Sequence, residues 1–75
     1  MNGIYVTIAE TMGTDGEFYS EVYLSKTEED AEKVADGLIA DMEITMDTKA
    51  TDTREVSGEG WWYRVRTEAQ GFYQL

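Results

Sequence analysis

The chain has 75 residues, 16 of them acidic and 6 basic, for a formal net charge of −10, and it contains neither cysteine nor histidine. That composition excludes disulfide staples, zinc sites built on thiolate or imidazole, and nucleophiles that depend on a Cys–His or Ser–His pair. It also disfavours nucleic acid and anionic membrane as direct partners, because both are polyanions.

The length sets one domain, residues 1–75. A core this small usually supplies only ~3–5 kcal/mol of net stability. Two Trp, five Tyr and two Phe are therefore expected to compensate through aromatic packing or self-association. The amino-terminal stretch MNGIYVTIAE has no basic leader, and no apolar run approaches the ~20 residues that span a bilayer.

In chain order, Ile4, Val6 and Ile8 alternate with Tyr5, Thr7 and Ala9, the period of a half-buried strand. Turn chemistry follows at Met12–Gly16, and a second strand runs from Glu17 to Leu24. A hairpin pairing Ile4 with Leu24 and Val6 with Val22 is expected, although a slip of two residues keeps the same faces. From Ser25 to Met42 the apolar residues Ala31, Val34, Ala35, Leu38, Ile39 and Met42 recur at helical spacing. Ser25 with Glu28 reads as the capping box of that helix, which ends between Met42 and Met46. Gly37 inside it costs about 1 kcal/mol against Ala unless a neighbour packs there.

Residues 43–52 fit a helix extension or a strand equally. Thr51–Ser57 reads as a weak third strand, Gly58-Glu59-Gly60 as a tight turn, and Trp61–Thr67 as a strong fourth strand. Gln70-Gly71 is expected to break that strand, with Phe72–Leu75 returning as a short edge. The order β-β-α-β-β predicts an α+β fold, an antiparallel sheet of about four strands with one helix on one face. Ile4, Val6, Ile8, Phe18, Val22, Leu24, Trp61, Tyr63 and Val65 are expected to face the helix. Tyr5, Tyr19, Tyr23 and Trp62, with Thr7, Glu21, Arg64 and Arg66, then line the opposite face.

No catalytic constellation emerges, so a non-enzyme without cofactor is expected. Asp15, Asp41, Glu43 and Asp47 form no calcium-loop pattern and read as solvated carboxylates. Two surfaces remain. Between Glu28 and Glu59 eleven acidic residues face three basic ones, and Glu28, Glu32 and Asp36 step along the helix by four, with Glu29 and Glu43 on an adjoining line and Asp47 beyond. Such a ridge of carboxylates imitates phosphates for a groove lined with Lys and Arg. The second surface is the aromatic set Tyr5, Tyr19, Tyr23 and Trp62, a residue mixture suited to a protein partner or a homodimer.

With this size, this charge and the helix SKTEEDAEKVADGLIADM inside a β-β-α-β-β order, the chain resembles the small acidic phage-encoded proteins that disable bacterial defence, of the anti-CRISPR and anti-restriction type. The resemblance implies a non-enzymatic inhibitor in the host cytoplasm that docks on a basic, nucleic-acid-binding protein, in some cases as a DNA mimic. The alternative reading is a homo-oligomeric structural or regulatory module that uses its aromatic sheet face, with the acidity serving solubility.

Overall fold

A computed structural model describes residues 3–72. The elements are β1 (Gly3–Met12), β2 (Phe18–Ser25), α1 (Glu28–Met46), β3 (Glu55–Gly58) and β4 (Trp61–Phe72). They form an α+β fold in which four antiparallel strands lie in the order β2-β1-β4-β3. Two hairpins, β1-β2 and β3-β4, are joined edge to edge by the helix, and β1 and β4 pair at the centre. Among the described residues no helix is long and apolar enough to cross a membrane.

The β1-β2 turn is set by Gly13 and Gly16. Gly16 N–H donates to Gly13 O, Gly13 N–H donates to Glu17 O, both at 3.0 Å, and Gly16 sits at φ 82°. This is a three-residue hairpin loop that needs a left-handed residue before the return strand, which glycine adopts without a Cβ clash. The register pairs Val6 with Leu24 and Ile8 with Val22, a two-residue slip from the expected pairing. At the other end β4 runs through Gln70 and Gly71, and Phe72 pairs with Gly3. The ladder to β1 continues across the glycine that the sequence marks as a break. An edge strand at Phe72–Leu75 is thus replaced at Phe72, and its remaining residues lie outside those described.

The helix is capped by Thr27, not Ser25: its hydroxyl accepts from Asp30 N–H at 3.1 Å. Thr27 and Asp30 have the same spacing as Ser25 and Glu28, so two overlapping capping signals compete in the sequence, and β2 claims Ser25 by pairing it with Tyr5. Residues 43–46 continue the helix, and Asp47 closes it in the left-handed conformation at φ 49°, its N–H reaching Glu43 O and Ile44 O. The third strand begins only at Glu55, because Thr51–Arg54 forms a turn in which Arg54 N–H bonds Thr51 O at 3.1 Å.

Ala9, Ala35, Ile39, Val56, Tyr63 and Val65 form the buried core, with Tyr23, Leu38, Met42, Ala50 and Trp61 packed around it. Here the expected faces of β1 and β2 are reversed. Thr7, Ala9 and Thr11, with Tyr5, share the helix side with Tyr19, Glu21 and Tyr23, while Ile4, Val6, Ile8, Phe18, Val22 and Leu24 lie on the open side. Trp61, Tyr63 and Val65 point to the helix as expected. The cause is close approach: Ala31 and Ala35, fully buried, meet the small side chains of β1, and Thr7 Oγ1 donates to Ala31 O at 2.9 Å inside the contact. Ile8 in place of Ala9 would hold the helix away from the sheet, and Val6 in place of Thr7, close to it in size, would forfeit the bond to Ala31 O.

Gly37 has no such justification. A Cβ built there meets nothing within 4 Å. Gly37→Ala is expected to raise stability by about 0.5–1 kcal/mol through helix propensity alone. A urea midpoint unchanged or lowered by this substitution would show a constraint on the outer helix face that the packing does not reveal.

Candidate functional site

The acidic surface is built by α1 and the loop that follows it. Between Glu28 and Arg54 nine carboxylates face three cations. Glu28, Glu29 and Asp30 occupy the first turn, where the helix dipole favours negative charge. Glu29 pairs with Lys33 at 3.5 Å, an exposed contact of small energetic weight.

Glu32 and Asp36 are engaged inside the molecule. Arg54 reaches up from the loop before β3 and bonds Glu32 Oε2 through one terminal nitrogen and Asp36 Oδ1 through the other, each at 2.9 Å. Thr67 Oγ1 donates to the same Glu32 oxygen at 2.9 Å. These bonds, Arg54 first, hold the Glu32 carboxyl below the usual carboxylate range. The paired carboxylates raise the Arg54 guanidinium further above its ordinary value, against partial burial. Arg54 holds this clamp from a left-handed backbone at φ 58°, a conformation costly for a side chain of its size. Glu43 is also spoken for: its Oε2 accepts from Ala50 N–H at 2.7 Å and ties down the loop after the helix.

Of the six predicted acidic positions, Glu28, Glu29 and Asp47 are therefore the exposed carboxylates that have no partner outside the helix among the described residues. The carboxylate at Asp47 is set against the negative end of the helix dipole, and the last turn has no basic residue to offset it. Beside it stands Ile44, 80% exposed, with Ala40 one turn back and Asp41 three residues before. The sequence contains this apolar spot in plain view, but a helix extension over residues 43–46 had to be established before Ile44 could be placed on the outer face.

The predicted aromatic set divides between the two sheet faces. Trp62 lies on the open side, where its ring meets Phe18 edge-on at 6.0 Å and carries the Arg64 guanidinium 4.0 Å above its centre. Tyr5, Tyr19 and Tyr23 lie on the helix side, as the reversed faces of β1 and β2 require. Tyr19 and Tyr23, with Tyr63, Leu38 and Met42, line a groove of about 230 Å³ between β2 and the helix. Tyr19 and Tyr23 donate to Glu17 and Glu21, and these bonds raise both phenol pKa values.

The open face is apolar along β2. Phe18, Val22 and Leu24 are 50%, 59% and 73% exposed. Its cations are matched: Arg64 pairs with Glu55 at 3.6 Å, and Arg66 bonds both Glu10 and Glu68. Charge is thus segregated, with the acid excess on the helix side and a near-neutral sheet face behind it. Among the described residues no three His, Cys, Asp or Glu side chains gather as a metal site.

Comparison with protein-family models, with curated proteins and with solved structures finds no match to this chain.

Proposed function

We propose that this protein is a non-catalytic acidic inhibitor that binds a basic, nucleic-acid-handling protein, placing carboxylates where that partner takes phosphates, as some of the anti-CRISPR and anti-restriction proteins it resembles do. The observation that carries this reading is the outer surface at the C-terminal end of α1. Exposed Ile44 supplies an apolar anchor, with Asp41 three residues before it and Asp47 three after, and Glu43 and Lys49 line the same surface. Asp47 occupies a position where glycine would relieve the backbone and a cation would suit the dipole. The exposed carboxylate, set against the helix dipole with no basic residue in the last turn, supports use by a partner. The clamp of Arg54 on Glu32 and Asp36 adds two carboxylates at fixed positions on the same helix, both still partly open to solvent.

The test is capture from a bacterial lysate on the immobilised chain, followed by salt and nucleic-acid competition. A basic protein is expected to be retained, and duplex DNA is expected to displace it. Retention should fall as ionic strength rises beyond the physiological level, where surface charges already screen over ~8 Å. Ile44→Ala and Asp47→Lys should each weaken retention while leaving the thermal transition in place. Retention that neither salt nor DNA reduces would rule out a mimic of nucleic acid.

A second reading, a homo-oligomeric module, is favoured by the exposed Phe18, Val22 and Leu24 on β2. In this reading the acidity serves solubility, and the working surface is the apolar side of the sheet.

A further inference from the structure

The two edges of the sheet differ. β3 is a four-residue strand, too short to template another chain. β2 has eight residues, FYSEVYLS, with no proline, no lysine and an unbroken register against β1 from Ser25 to Phe18. Natural sheets protect a long edge with charge, proline, a bulge or a cover. β2 has one charged side chain, Glu21, and apolar or aromatic side chains exposed on both faces: Phe18, Val22 and Leu24 behind, Tyr19 in front.

The phase of its free hydrogen-bonding groups follows from the turn. Gly13 N–H bonds Glu17 O, and in an antiparallel ladder bonded pairs recur every second residue. Tyr19, Glu21 and Tyr23 therefore direct their backbone N–H and C=O to β1, and Phe18, Ser20, Val22 and Leu24 direct theirs outward. We infer that this outward edge pairs with the β2 edge of a second copy of the chain, antiparallel and about a two-fold axis, to give one continuous eight-stranded sheet.

The edge is complementary to itself in one register. Outward groups must meet outward groups, so the two-fold axis passes through a residue and not between residues. The two registers that overlap β2 most fully centre on Glu21 or on Val22. Centring on Glu21 sets two carboxylates side by side, which is unfavourable for a directly opposed pair. Centring on Val22 opposes Val22 to Val22, Ser20 to Leu24, and Glu21 to Tyr23. The Tyr23 hydroxyl already donates to Glu21 within one chain, so the same donor and acceptor meet again across the axis. This self-match is the reason for choosing a second copy over a foreign strand. Both helices then stand on the same side of the sheet, and the two grooves lined by Tyr19 and Tyr23 become one trough between them.

This inference rests on the second reading above, with the edge of the sheet in place of its open face. Salt separates it from the first. Each copy carries −10, so screening should tighten the dimer, whereas it should loosen a basic partner. Sedimentation of the wild-type chain is expected to show a dimer that strengthens with added salt. Val22→Pro removes an outward N–H that β1 does not use, and Val22→Lys adds the charge that natural edges carry. Both variants are expected to sediment as monomers with the urea transition of the monomer preserved. Because the chain has no cysteine, single-cysteine variants report the register. Under mild oxidation Val22→Cys is expected to form a disulfide-linked dimer roughly tenfold faster than Glu59→Cys at the far turn, since a directly opposed pair lies within disulfide reach at ~5.5 Å. A monomer at every concentration and salt, equal cross-linking rates, or an association that salt weakens would each overturn β2 pairing. A monomeric chain that still retains a basic protein would leave the acidic-inhibitor reading standing.

Discussion

Ile39→Asp is expected to leave the chain unfolded at room temperature, while Leu38→Asp leaves a folded but weakened protein. Ile39 is buried between Ala35 and the β3-β4 side of the core, with Val56 and Val65 in the same cluster. A carboxylate there has no partner, and an unpaired buried charge costs several kcal/mol, comparable with the whole ~3–5 kcal/mol available to a domain of this size. Leu38 sits one helical position away, at the rim, where it lines the groove between α1 and β2. Its carboxylate replacement turns into solvent, and the loss is that of one half-buried apolar side chain, about 1–2 kcal/mol. Circular dichroism melts of the two variants decide the matter. Equal melting temperatures would mean that the helix is rotated about its axis from the orientation described.

Arg54→Ala is expected to lower stability by about 1–3 kcal/mol, a large effect for a single side chain on a surface. Both bonds of the guanidinium are lost together, and Glu32 and Asp36, one turn apart, then repel each other. Most of the loss belongs to the Glu32 arm, because Asp36 is largely in water and its bond is screened. The arrangement also predicts a pH dependence. Glu32 is held below the ordinary carboxylate range by Arg54 and Thr67. A group with a depressed folded-state pKa binds its proton more readily in the unfolded chain, so its stabilisation is complete above the ordinary glutamate range near ~4.3. It is lost as pH falls through the lower folded-state value. Urea midpoints measured from neutral to acid pH should therefore drop more steeply for the wild type than for Glu32→Gln. Parallel curves would show that the clamp is not formed in solution.

That clamp marks a limit of sequence reasoning. Glu28, Glu32 and Asp36 read as a free ridge from helical spacing, and the spacing is correct. Nothing local to Arg54 indicates that it turns back eighteen residues to reach Asp36, since the contact depends on where β3 enters the sheet. The same holds for Glu43, whose carboxylate is taken by a backbone N–H seven residues on. Ile44 shows the opposite case. Its exposure follows from the helical period once the helix is known to reach Met46.

The order of elements, the single helix and its buried stripe at Ala31, Ala35 and Ile39 were determined by the sequence alone. Helical and strand periods are local quantities, written in the spacing of apolar residues. The face assignment of β1 and β2 was decided only in three dimensions. A two-residue period divides a strand into two sides and carries no sign to say which one a helix will cover. In this chain both sides of β1 are apolar enough to be chosen. The choice fell to Thr7 and Ala9, whose small side chains let Ala31 and Ala35 come close, and that contact joins residues twenty-four apart. The pairing of β1 with β4, which leaves β2 at an edge with its outward amides unpaired among the described residues, is likewise a long-range outcome. It turns FYSEVYLS from an ordinary amphipathic strand into the surface where a second chain is expected to add.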